Sequence, residues 1–197
     1  MAHLSDSLYI AIGMARIAKL IPTIHDPSQS PVKGQLLGLM LPGLHLINLV
    51  SVLDEALCEY IELHNLPWPS EKRQDLCNRL NFVSKFVPCL NISRLHQIRR
   101  TRNSIAHSGC ISREQTITWT MLEEAIEDIA AGFVAMRIIE SSPSIVPFYE
   151  RKPTVFLGEL GPSGERMRHV HVVGAKVNGE TLLEYSSEII YFPPETP

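Results

Sequence analysis

Arg102, Asn103 and His107 carry the reactive chemistry of this chain, in the run Ile98-Arg99-Arg100-Thr101-Arg102-Asn103-Ser104-Ile105-Ala106-His107-Ser108-Gly109. A guanidinium grips a phosphate with two parallel hydrogen bonds, and an imidazole moves a proton near neutral pH. Together they suffice for metal-free cleavage of RNA, in which the 2′-hydroxyl attacks the neighbouring phosphorus. His107 would handle the proton, Arg102 would stabilise charge on the five-coordinate phosphorus, and Asn103 would orient the imidazole or bind the phosphate.

The spacing alone is a weak signal, because Arg166 and His171 repeat it in a segment that reads as a strand. We set that second match aside as coincidence. Position separates the two. Arg102 and His107 lie at the end of a predicted helix, with Gly109 as a natural stop. Asn103 lies one turn before His107 on the same helical face, and Arg99, Arg100 and His96 continue that stripe as candidate RNA-binding residues. Arg102 itself falls about 140° round the helix from His107. For both to serve one phosphate, the last turn must unwind or a second copy of the helix must complete the site, as two-fold symmetry allows.

Charge along the chain favours this region. The formal net charge is −3, which by itself points to no nucleic-acid partner. Yet residues 76–113 contain no Asp or Glu, while Arg79, Lys85, Arg94, Arg99, Arg100, Arg102 and Arg113 are all basic. From Glu114 to Glu140 the sign reverses, with Arg137 as the single basic residue. Such segregation leaves two readings open: a phosphate-binding surface, or a basic helix that pairs with its acidic neighbour.

Elements that would position these residues read as helices up to about residue 142. A first helix begins near Ser5 or Asp6, with Leu8, Ile10, Ile12, Met14, Ile17 and Leu20 expected inward, and ends at Pro22; a loop from His25 to Pro31 follows. A second runs through the uncharged stretch 36–53 to Tyr60 and Ile61, with a possible kink at Pro42. That stretch is nearly long enough to span a bilayer, but Pro42, Gly43, His45, Asn48 and the following Asp54-Glu55 favour a helix buried in a bundle. A third covers about Glu71 to Phe86 with Ser70 as its cap, and a fourth runs from Ile92 or Ser93 to His107, with Leu95, Ile98, Ile105 and Ala106 inward. The fifth runs from about Arg113 to Ile139, with inward positions from Ile117 and Met121 to Met136.

Beyond Ser141-Ser142-Pro143-Ser144 the pattern turns to short β-prone runs at 154–157, 167–173, 181–185 and 189–192. Turns at 161–164 and at Asn178-Gly179 separate them. The expected architecture is mainly α: a bundle of about five helices over residues 1–142, with a small C-terminal antiparallel β meander over 143–197.

The run Arg102 to Gly109 resembles the signature of the HEPN superfamily (higher eukaryotes and prokaryotes nucleotide-binding): Arg, often followed by a polar residue, then His after four to six positions. The resemblance covers about residues 5–140. It implies a metal-independent endoribonuclease with Arg102 and His107 catalytic, acting as a homodimer whose two motifs face each other. It implies RNA as partner, no cofactor, and a place among toxins or phage-defence proteins with a protein antitoxin as a further partner. Members that have lost activity serve as modules for nucleotide or RNA binding or for protein interaction, which is the alternative. It says nothing about the β segment.

Other features rank lower. Cys58, Cys77, Cys89 and Cys110 form no C-x-x-C pair, which fits reduced thiols in a cytoplasmic protein rather than a zinc site or disulfide scaffold. The first residues lack the pattern of a signal peptide, and no membrane partner is expected. His169 and His171 share a strand face as metal ligands would, but no third ligand is evident, so no metal is expected. Trp68, between Pro67 and Pro69, reads as a loop anchor and Trp119 as a core residue; they do not make the multi-aromatic sheet of a base-stacking platform. With no glycine-rich phosphate loop, Walker and Rossmann readings drop out.

Overall fold

A computed structural model describes residues 2–24, 31–107, 117–157 and 166–191. Five helices precede three strands: α1 (Ala2–Ile24), α2 (Pro31–Leu63), α3 (Leu76–Val83), α4 (Ile92–His107), α5 (Trp119–Ala135), β1 (Ile145–Leu157), β2 (Arg166–Val177) and β3 (Glu180–Tyr191). The strands form one antiparallel sheet in the order β1-β2-β3. This is the expected mainly α bundle with a C-terminal β meander. The loop from His25, the stop at Gly109, Cys110 and the 161–164 turn lie outside the described residues; α5 starts at Trp119 rather than near Arg113, because the extended Thr118 caps it.

The α2 helix is the spine of the core. Leu46, Leu49, Val50, Leu53, Ala56 and Leu57 are buried along it at three- and four-residue steps. Its span Met40–Leu63 is apolar and long enough to cross a bilayer by composition alone, and half of its most apolar window is buried inside the protein. Leu4, Leu8, Ile12 and Ala15 of α1, Leu95 and Ile98 of α4, and Leu122, Ile126, Ile129 and Phe133 of α5 close around it. Ile10, Met14 and Met121 point outward instead, and Ala106 is exposed. Their places on these helices fall just outside the arc that the neighbouring elements cover.

Several boundaries differ from the expected ones for identifiable reasons. Helix α1 starts at Ala2 and continues past Pro22 to Ile24. Helix α3 is shorter than expected, because Asp75 rather than Ser70 caps it and accepts a 2.9 Å bond from the Asn78 N–H. Helix α5 ends at Ala135, not Ile139: Arg137 adopts φ 59°, and its N–H bonds Val134 O while that of Ile138 bonds Phe133 O. That pair of bonds is a Schellman motif, and Asn65 (φ 49°) ends α2 in the same way. Strand β1 begins at Ile145, well before residue 154, despite Pro147 and Pro153. It lies at the sheet edge, where a missing N–H is tolerated. The two runs expected at 181–185 and 189–192 form one strand, β3. The Asn178-Gly179 hairpin is as expected, with both residues at positive φ.

The sheet packs on α1 at Gly13, where an added Cβ would sit 3.3 Å from the Ala175 Cβ and 3.2 Å from a Leu183 methyl. Ile145 and Ala175 join the core cluster of the helices, so the hydrophobic interior is continuous from bundle to sheet. Arg16 ties three elements together there, donating to Ile145 O at 2.6 Å and pairing with Glu123 of α5 at 3.2 Å. On the other side of the bundle, Gly43 of α2 brings α4 close: a Cβ there would lie 3.3 Å from Ile105 Cγ2. This contact sets where the last two turns of α4 project.

Candidate active site

Four side chains of α4, Arg99, Arg102, Asn103 and His107, open on one cavity of about 560 Å3. Helix α4 is regular through His107. On such a helix these residues span an arc of about 140°, bounded by Arg102 and His107, with an axial rise of about 7.5 Å between those two. Neither an unwound turn nor a second chain is needed for Arg102 and His107 to line the same cavity.

The facing walls come from Ser51 and Asp54 of α2, and from Arg73, Asp75, Cys77 and Arg79 in and before α3. Sequence reading missed this wall. Both carboxylates are committed. Asp54 takes a two-pronged grip from Arg79, with Nε to Oδ1 at 2.8 Å and Nη2 to Oδ2 at 2.7 Å, which keeps the guanidinium firmly charged. Asp75 caps α3. Arg79 also donates to Gln74 O at 2.9 Å.

The motif arginines stand differently. Among the described residues, Arg99, Arg100 and Arg102 make no ion pair with a carboxylate. The Nε atoms of Arg99 and Arg102 are buried and unbonded, while Arg102 Nη1 donates to Asn103 Oδ1 at 3.1 Å. Two uncompensated guanidiniums on a polar cavity attract an anion rather than a cation. Arg94, one turn earlier, shows the other reading of the charge segregation. It pairs with Asp128 at 2.9 Å and Glu124 at 3.5 Å on α5. The pairing reading therefore holds for Arg94, while Arg99 and Arg102 face the cavity without such a pair among the described residues.

Two of the six candidate residues lie outside the cavity lining. Arg100 is exposed, and the His96 Nε2 meets Asn81 Oδ1 of α3 at 3.0 Å. Burial, helped by Arg99 and Arg100, pushes the His96 imidazole below its ordinary value. His96 thus pins α4 to α3, and the stripe that lines the cavity is Arg99, Arg102, Asn103 and His107.

The His171 Nδ1 is hydrogen-bonded to the Tyr149 hydroxyl at 2.6 Å, and the His169 side chain lies outside the described residues. His3, Glu55 and Glu59 do come together, with the imidazole Nε2 3.0 Å from Glu59 Oε1. These are also the contacts of a simple surface ion pair. Cys58, Cys77 and Cys89 are free thiols. No family model matches the chain, and no match is found among curated proteins or solved structures.

Proposed function

We propose that the protein is a metal-independent endoribonuclease of HEPN type, with Arg102 and His107 catalytic and the α4 cavity as its active site. One observation carries this reading: Arg99, Arg102, Asn103 and His107 line a single polar cavity, and Arg99 and Arg102 make no ion pair with a carboxylate among the described residues. A phosphodiester supplies the charge they lack.

The chemistry follows from the groups present. His107 takes the proton of the substrate 2′-hydroxyl, and the oxygen attacks the adjacent phosphorus. The bond to the 5′-oxygen breaks, and that oxygen collects a proton from an imidazolium. The products are a 2′,3′-cyclic phosphate and a 5′-hydroxyl. Arg102 and Arg99 stabilise the charge that builds on the non-bridging oxygens. His107 is exposed at the end of α4, where it reaches substrate and stands free to face its counterpart in a second copy. In a homodimer of that kind one imidazole serves as base and the other as acid.

Purified protein incubated with total RNA in the presence of EDTA tests the proposal. Arg102→Ala and His107→Ala should each lower cleavage by about 100-fold or more, with the circular dichroism spectrum unchanged. Cleavage at the wild-type rate by either variant overturns the assignment. RNA binding without cleavage by the wild type identifies the non-catalytic alternative.

A further inference from the structure

A second cavity, of about 510 Å3, adjoins the first, and Arg79 lines both. The Arg79 guanidinium bonds Asp54 on the first side and Gln74 O on the second, so one fixed side chain is the partition. The linings differ. The first cavity is arginine-rich and polar; the second joins the apolar Ile61, Leu66 and Trp68 to Glu62, Asn65 and Gln74.

We propose that the second cavity takes the guanine base of a nucleotide whose phosphate occupies the first. This rests on the ribonuclease reading of that first cavity. A nucleotide has the matching division, one charged end and one flat apolar ring with a polar edge. Trp68 is held rigidly for a stacking role, since its Nε1 donates to Lys72 O at 3.0 Å and its ring abuts Phe82 at 5.1 Å. A base stacks on such a ring whatever its identity. The edge is read by Glu62, whose carboxylate makes no ion pair among the described residues. A carboxylate accepts two parallel bonds from adjacent donors. Guanine presents such a pair, its ring N1–H beside its exocyclic amino group, whereas adenine, cytosine and uracil each set at most one donor group beside acceptors. Burial keeps the Cys58 thiol neutral despite the nearby Arg79, so the floor adds no competing charge.

Equilibrium binding of the four nucleoside 3′- and 5′-monophosphates, with cleavage of oligonucleotides varied beside the cut, tests the subsite. Wild-type protein should bind guanosine monophosphate most tightly and cut preferentially beside guanosine. Glu62→Gln should abolish the preference for guanine over adenine, and Trp68→Ala should weaken all four by about tenfold. Trp68→Phe keeps a stacking ring if the alanine variant fails to fold, and should bind within severalfold of wild type. Arg102→Ala should weaken all four equally. If wild-type protein shows no preference for guanine, or folded Glu62→Gln keeps it, the subsite is overturned while the ribonuclease reading stands. If guanine preference depends on Glu62 but no RNA is cut, the subsite stands and the ribonuclease reading fails.

Discussion

Asp54 is the residue on which the two sides of the cavity depend. Its carboxylate fixes Arg79, and the fixed Arg79 in turn forms one wall shared by both cavities. The Arg79 side chain is only 13% exposed, so losing its partner strands a charge in a poorly solvated position. Asp54→Ala should therefore lower stability by about 1–3 kcal/mol. Asp54→Asn, which keeps one acceptor oxygen, should lose less; urea denaturation of the three proteins decides. An Asp54→Ala protein as stable as wild type would mean that solvent replaces the carboxylate without cost. Asp54 was invisible in the sequence for a physical reason. Arg102, Asn103 and His107 share one helix, so spacing alone relates them. Asp54 and Arg79 are 25 residues apart and meet only because α2 and α3 pack. The same limit placed Arg100 and His96 on the site stripe, since angular position cannot say which part of a helix face another helix covers.

Among the elements, helices with a continuous apolar stripe were legible, and their ends much less so. The stripes of α2 and α5 follow from three- and four-residue steps that only burial explains. Ends depend on single capping bonds: Asp75 displaced Ser70, and the left-handed Arg137 ended α5 early without a glycine to announce it. The hairpin was legible because Asn178-Gly179 suits two consecutive positive φ values. The packing of α4 on α2 was not, because it hangs on the absence of a side chain at Gly43. Gly43→Leu should overfill the 3.3 Å approach to Ile105, costing about 1–3 kcal/mol and displacing the last turns of α4. Pairing it with Ile105→Ala should recover part of that loss, a non-additivity expected of residues in contact. On the proposed ribonuclease reading, the single variant should also cleave RNA more slowly than its loss of stability explains, because Arg102 and His107 ride on the displaced turns. Additive effects in the double variant would show that Gly43 does not set the helix spacing.

At the scale of the whole molecule, an acidic protein presents a cationic cavity because its charges are sorted by face. Within the basic run of residues 76–113, Arg79 is paired with Asp54 and Arg94 with α5, while Arg99 and Arg102 make no ion pair among the described residues. Burial leaves two histidines in places unsuited to positive charge. Burial depresses His45 of α2, and burial with Arg99 and Arg100 depresses His96, both from an ordinary value of 6.5. The sign follows from linkage. The unfolded chain protonates both imidazoles at a higher pH than the folded protein does, so acid favours unfolding. Their stabilising effect is complete above 6.5 and is lost as pH falls below it. Urea midpoints should therefore drop between about pH 7.5 and about pH 5.5, above the range where carboxylates titrate. A His45→Gln, His96→Gln protein should show a shallower drop, because neutral amides have no proton to gain. Protonation adds charge at the buried, unbonded Nδ1 of His96 beside Arg99 and Arg100, while its Nε2–H bond to Asn81 Oδ1 is kept, so the acid loss should fall first on the contact between α4 and α3. Parallel pH profiles for the wild type and the double variant would place the acid sensitivity elsewhere in the molecule.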